Sequence, residues 1–215
     1  MEKENTEHLC VPCIQLVIAT RNIHKIREIK SILKSTFNQL SKFDILSLKD
    51  FPNYTPPPED GKTFEENAIL KATHAAKELN QWTLADDSGL VVPSLNGEPG
   101  VFSARYAGEN ASDNDNRKKL LNQMENLVDQ DRNAYFECCI ALASPDGLKK
   151  CVCASCEGQI TTKEKGGSGF GYDPIFIKHE YSKTFSELEE SVKNKISHRR
   201  KALDKILLSL ESLKG

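Results

Sequence analysis

Gln15-Leu-Val-Ile-Ala-Thr-Arg-Asn-Ile-His-Lys-Ile-Arg-Glu-Ile-Lys-Ser-Ile-Leu33 decides the fold. Its opening, Gln15 to Thr20, is a run of β-branched and aliphatic residues and reads as a buried strand. Ile26, Ile29, Ile32 and Leu33 then recur at spacings of three and four among Lys25, Arg27, Glu28 and Lys30, which makes one apolar helical stripe. A strand that delivers its turn straight to a helix N-terminus opens an α/β fold.

The same reading extends outward. Phe43 to Leu48 is a second strand, and Pro52 with Pro56-Pro-Pro58 marks a loop, because proline cannot donate to a ladder. Thr63-Phe-Glu-Glu66 fits a capping box for a helix running to about Leu79, with Glu66 reaching back to the cap. Trp82 to Ala85 is a short strand feeding an acidic turn. Ser112 to Val128 is a helix with Leu120, Leu121, Met124, Leu127 and Val128 inward. Ala134 to Ala143 and Leu148 to Ser155 form a hairpin around Ser144-Pro-Asp-Gly147. Pro174 to Ile177 is a brief strand, and Ile196 to Leu213 a final helix with Ala202, Leu203, Ile206, Leu207, Leu210 and Leu213 on one face.

Residues 1–13 read as a loose leader and 14–215 as one domain, a size at which a single α/β unit buries most of its apolar surface. Lys plus Arg is 29 against 31 for Asp plus Glu, so no global basic field argues for nucleic acid or an anionic membrane. No run of eighteen apolar residues is present and the start has no secretory layout, so a cytoplasmic protein is expected. The seven cysteines are odd in number and lie partly in strand-like text, which favours reduced thiols. Cys10-Val-Pro-Cys13 and Cys153-Ala-Ser-Cys156 have zinc spacing, but the latter reads as strand alternation without the glycine turns of a knuckle.

Five stretches carry chemistry. Asn22-Ile-His-Lys25, between strand and helix, offers amides and a lysine where the helix dipole favours anions, although the Walker A pattern is absent. Asp86-Asp87-Ser88-Gly89 pairs carboxylates that point different ways; Glu59 and Asp60, or Glu65 and Glu66, could bring a second acid to an octahedral Mg²⁺. Lys71 shares a helical face with Asn67 and could present an ammonium to phosphate. Gly166-Gly-Ser-Gly-Phe-Gly-Tyr-Asp173 opens no long helix, so it is no dinucleotide fingerprint, but Phe170 could stack on a purine while Asp173 accepts from it. Lys193 and Ser197-His-Arg199 add donors for a base carbonyl or a phosphate. The plain alternatives are a turn, a solvated helical lysine, a flexible loop and a surface histidine. No nucleophile triad is legible.

Across nearly the whole chain after the leader, the sequence resembles the inosine triphosphate pyrophosphatase family, the non-standard purine nucleoside triphosphate pyrophosphatases. The matched stretches are Ala19 to Lys25, Thr63 to Ala72, Ala85 to Leu90, Ser103 to Gly108, Gly169 to Pro174 and Ile196 to Arg199. The resemblance implies a mixed, twisted sheet flanked by helices in two lobes around a central cleft, and a homodimer. It implies Mg²⁺-dependent hydrolysis of ITP, dITP or XTP to the monophosphate and pyrophosphate. Carried over by position, Thr20, Arg21, Asn22, Ile23, His24 and Lys25 would cradle the triphosphate; Asp87 would bind metal and act on water, with Glu59 as second metal ligand; Ser88 would touch substrate. Phe170, Gly171, Tyr172, Asp173, Lys193, His198 and Arg199 would form the nucleoside side. Arg21 and His24 stand where glycines are frequent in that family. A catalytically silent nucleotide sensor is the rival expectation.

Overall fold

The computed structural model describes residues 13–36 and 43–213. The expected leader therefore lies, but for Cys13, outside the described residues, as does Cys10. Strands β1 (Ile14–Ile18), β2 (Phe43–Ser47), β3 (Trp82–Val91), β4 (Asn133–Ser144), β5 (Gly147–Ile160) and β6 (Phe176–Lys178) form one sheet in the order β2-β1-β3-β4-β5-β6. β1 pairs in parallel with β2 and β3, and the remaining pairs are antiparallel. The sheet is therefore mixed, as expected.

Helices cover both faces: α1 (Ile23–Thr36), α2 (Phe64–Leu79), α3 (Asp113–Gln123), α4 (Glu190–Ile196) and α5 (His198–Glu211). Leu16 and Ile18 of β1 pack with Leu84, Ile140 and Leu142 against Ile29, Ile32 and Leu33 of α1 and Ala202, Leu203 and Ile206 of α5. Val17, one residue out of phase, turns to the opposite face with Ala85, Ala141 and Ala143. There α2 presents Ala68, Ala72, Ala75 and Ala76, all fully buried, so small side chains let the helix axis come close to the sheet. A third cluster, including Leu90, Phe136, Phe176, Phe185, Leu120 and Met124, fills the far end of the sheet as a second lobe.

Several boundaries differ from expectation for identifiable reasons. β3 does not stop at a turn after Ala85: β4 pairs with it residue by residue from Thr83 to Val91, so Asp86 and Asp87 lie mid-strand. Helix α3 ends at Gln123, because Arg132 donates to the Met124 and Leu127 carbonyls at 2.6 and 3.2 Å and closes the helix there. Val128, expected inward, is 65% exposed. The Thr63 hydroxyl caps α2 by accepting from Glu66 N at 3.1 Å, but the Glu66 carboxylate accepts from Lys62 N rather than from the cap itself. The final helix is broken at Ser197, which ends α4 and caps α5 by accepting from Arg200 N at 3.2 Å. Cys139 and Cys153 are disulfide-bonded, against the expectation of reduced thiols, because the hairpin register sets them directly opposite.

Candidate active site

Strand alternation sends the two adjacent acids of β3 to opposite faces. Asp87 turns toward α2, where Lys71 Nζ lies 2.6 Å from Oδ1 and Asn67 Nδ2 donates to Oδ2 at 3.2 Å. Lys71 also reaches Glu59 Oε2 at 3.2 Å, so one cation already stands between the two carboxylates expected to share a metal. Two such acids converging on one cationic position, with room for phosphate oxygens, fit the hard oxygen set that Mg²⁺ takes. Burial, with Glu59 nearby, outweighs Lys71 and Lys25 and pushes the Asp87 carboxyl up. Lys71 stays cationic because Asp87 and Glu59 outweigh its own burial.

Asp86, itself fully buried, turns the other way, into a largely buried charge network. Arg199 Nε and Nη2 donate to its Oδ2 at 3.0 and 2.9 Å, and Lys25 Nζ sits 2.7 Å from Oδ1. Arg199 also pairs with Glu28 and donates to Ser88 Oγ at 2.9 Å. Glu28 pairs in turn with Lys193 Nζ at 2.5 Å, and Lys193 meets Asp173 Oδ2 at 2.6 Å. Burial opposes ionisation of Asp86, but Arg199 and Lys25 outweigh it and hold the carboxyl well below its usual range. Arg199 and Lys193 do the same for Glu28. Isolated buried charges would be costly; here every one has an opposite partner.

The glycine loop is clamped by both lobes. Asp173 Oδ2 accepts from Phe170 N at 3.0 Å as well as from Lys193, so this oxygen holds the loop rather than facing a base. A Cβ on Gly169 would lie 2.4 Å from that same oxygen, and the residue adopts φ +83°, so glycine is required there. Gly171 N donates to Asp113 Oδ2 at 2.7 Å, Arg117 Nη1 donates to its carbonyl at 2.8 Å, and the Tyr172 hydroxyl donates to the Ser103 carbonyl at 2.9 Å. His24 stacks on Phe170 with ring centroids 5.2 Å apart, and Lys193 Nζ lies 4.7 Å over the same ring. His198 is buried in the cleft wall, stacked on Phe136 at 4.7 Å, and its Nδ1 has no hydrogen-bond partner among the described residues. Burial, then the neighbouring Arg199 and Lys193 charges, keep its ring neutral.

Asp87 and its partner Lys71, the glycine loop and His198 surround one cavity of about 370 Å³. Thr20, Arg21, Asn22, Lys25, Glu59, Lys71, Asp87 and Ser88 line it beside Phe170, Gly171, Tyr172, Asp173, Lys193, His198 and Arg199. Ile23 does not: it is 51% exposed. His24 lines a neighbouring groove and meets the site only through Phe170. In the expected phosphate cradle, Asn22 Oδ1 accepts from the His24 and Lys25 amides at 2.9 and 3.3 Å, so these are engaged by the protein's own helix cap. Glu28 and Arg105, whose Nη2 donates to the Glu59 carbonyl at 3.3 Å, are additions to the expected site, while Asp86 was expected beside Asp87 and Asn67 beside Lys71. Glu28 reads as an ordinary member of the α1 charged face, whereas the Asn67 position one turn before Lys71 was a usable signal.

Fold and site together define a mixed α/β protein whose cleft sets a lysine-bridged carboxylate pair opposite an aromatic, glycine-rich loop. A model of the Ham1 family matches residues 16–208. The chain is 54% identical over 202 residues to a dITP/XTP pyrophosphatase of Protochlamydia amoebophila (strain UWE25), covering 94% of this chain and 100% of that relative. It is 55% identical over 201 residues to the protein of the same name from Chlamydia caviae, covering 93% and 96%. Among solved structures, the Staphylococcus aureus Ham1 protein superposes with a TM-score of 0.79 at 43% identity, covering 92% of this chain and 98% of that one. A HAM1 protein from Coxiella burnetii gives 0.80 at 38%, covering 93% and 100%. The chain belongs to the Ham1 family.

Proposed function

We propose that this chain hydrolyses the non-standard purine nucleoside triphosphates ITP, dITP and XTP to the monophosphate and pyrophosphate. The observation that carries the reading is that Asp87, bridged to Glu59 by Lys71, lines the same cavity as Phe170 and His198. The names of the two relatives, both dITP/XTP pyrophosphatases, agree with it.

Asp87 and Glu59 would hold a Mg²⁺ ion, which when bound supplies charge stabilisation to the polyphosphate. Asp87 orients a water, or takes its proton, for in-line attack on the α-phosphorus. Lys71, relieved of its bridging contacts, and Lys25 at the cleft wall offset charge on the leaving pyrophosphate. Thr20, Arg21 and Asn22 hold the phosphates, and Ser88, positioned by Arg199, faces the substrate. His198 reads the base: its neutral ring carries one N–H, which the 6-keto oxygen of hypoxanthine or xanthine accepts. Adenine places an amino group there and leaves a buried donor unpaired, at about 1–3 kcal/mol. Arg199 is a less apt reader, since Asp86, Glu28 and Ser88 already take its donors.

The test is incubation with ITP and Mg²⁺, followed by assay of pyrophosphate and orthophosphate. Pyrophosphate is expected; orthophosphate alone would overturn attack at the α-phosphorus, and tight binding without turnover would instead fit a nucleotide sensor. We take the working form to be a cytoplasmic homodimer on the strength of the family resemblance, which light scattering of the purified chain and fractionation of cells would check. No described helix is long and apolar enough to cross a membrane.

A further inference from the structure

The sheet face beneath the start of α2 carries a second constellation that the nucleotide cleft does not use. Antiparallel pairing sets Cys139 of β4 opposite Cys153 of β5, with Cα atoms 4.0 Å apart and the sulfurs joined. Glu137 lies two residues before Cys139 on the same strand and so turns to the same face. One ligand atom from each of the three lies within 4.8 Å of the others. The Glu137 carboxylate lies 3.9 Å from the Cys139 sulfur, which as part of a disulfide has no proton to donate, and among the described residues no lysine or arginine pairs with it. The constellation floors an open groove between Lys62 to Glu65 and the 96–102 loop, so solvent and ions have a route to it.

We propose that, once the disulfide is reduced, Cys139, Cys153 and Glu137 bind a thiophilic divalent cation of the zinc class, so that metal and disulfide compete for the same two sulfurs. Two thiolates and a carboxylate are a donor set that zinc accepts, with a groove water completing a tetrahedron. A dithiol reductant delivers two electrons and two protons to the sulfur pair and itself becomes a disulfide. The two resulting thiols then release their protons to solvent as they ligate the cation. The sulfurs must part to the roughly 3.7 Å that two thiolates keep on tetrahedral zinc, which side-chain rotation about Cβ allows once the bond is open. The pair Cys153 and Cys156, which has zinc spacing in the sequence, cannot do this: strand alternation sends Cys156 into the aromatic cluster of the second lobe.

The experiment is a Co²⁺ titration of reduced protein carrying Cys10→Ser, Cys13→Ser and Cys151→Ser, which removes competing thiols and leaves the buried Cys138 and Cys156. One equivalent of Co²⁺ should produce a sulfur-to-cobalt charge-transfer band that Zn²⁺ bleaches. Adding Cys139→Ser or Cys153→Ser should abolish the band, and Glu137→Gln should keep it while weakening affinity by about tenfold or more. The oxidised protein should show no band. Absence of the band in reduced protein, or its survival when both Cys139 and Cys153 are replaced, overturns the proposal. In the unsubstituted reduced protein, Zn²⁺ should slow alkylation of Cys139 and Cys153 as read by peptide mass spectrometry; equal rates with and without Zn²⁺ would overturn it independently of any variant. No nucleotide enters these measurements, so they stand apart from the proposed hydrolysis.

Discussion

Lys71 holds the Asp87 and Glu59 carboxylates around one ammonium, and that arrangement makes Asp87 the residue whose loss should matter most. Asp87→Asn is expected to lower kcat for pyrophosphate release by about 10²–10⁴-fold with an unchanged circular dichroism spectrum; near-normal turnover would remove Asp87 from the chemistry. His198→Phe keeps the stack on Phe136 but removes the N–H, so the ratio of kcat/KM for ITP to that for ATP should fall by about tenfold or more. Because the His198 ring is held neutral well below its usual 6.5, that ratio should stay flat from about pH 6 to pH 8. An inflection near 6.5 would mean the imidazole titrates in the open. Asp87, Lys71 and Phe170 were legible because carboxylates after a strand, a lysine one turn after Asn67 and an aromatic among glycines each have a local reason. Asp86, Glu28 and Arg199 as one network were not. Arg199 finds its partners 113 and 171 positions away, and no spacing within a single segment encodes such contacts.

Strand β3 is the element on which the site depends. Its sequence suggested a short strand and then a turn, since Asp-Ser-Gly is common turn chemistry. The long partner strand β4 overrides that preference by pairing through Val91, and the price of two acids mid-sheet is met by Arg199 on one face and Lys71 on the other. Asp86→Asn leaves Arg199 with half its countercharge while 1% exposed, and should cost about 3–5 kcal/mol in denaturant unfolding. The sign of the pH effect follows from the lowered carboxyls. Asp86 and Glu28 contribute stability that is complete above their unfolded values of 3.8 and 4.5 and is lost as pH falls through the depressed folded values. Acid unfolding followed by circular dichroism should therefore steepen below about pH 4, and Asp86→Asn should flatten that limb; an unchanged limb would place the acid sensitivity elsewhere. Ala72 of helix α2 is fully buried in the cluster packed on the sheet, so overpacking by Ala72→Leu should lose about 1–3 kcal/mol. The helix itself was legible from Thr63 and its apolar period, whereas the closeness of its packing shows only with the sheet beneath it.

At the scale of the whole molecule, the cleft lies where two clusters packed on opposite sheet faces give way to the aromatic cluster of the second lobe. Its walls come from the first strand-helix turn, the middle of α2, mid-β3, the glycine loop and the α4–α5 junction. The sequence named those segments in order, and the sheet order explains their meeting: β1 and β4 flank β3, while α5 returns to cover the face that receives Asp86. The most direct test of the account is to let the protein hydrolyse ITP in ¹⁸O-labelled water with Mg²⁺ and locate the label by mass spectrometry. Attack on the α-phosphorus places ¹⁸O in the monophosphate and leaves pyrophosphate unlabelled; label in pyrophosphate or orthophosphate would contradict it.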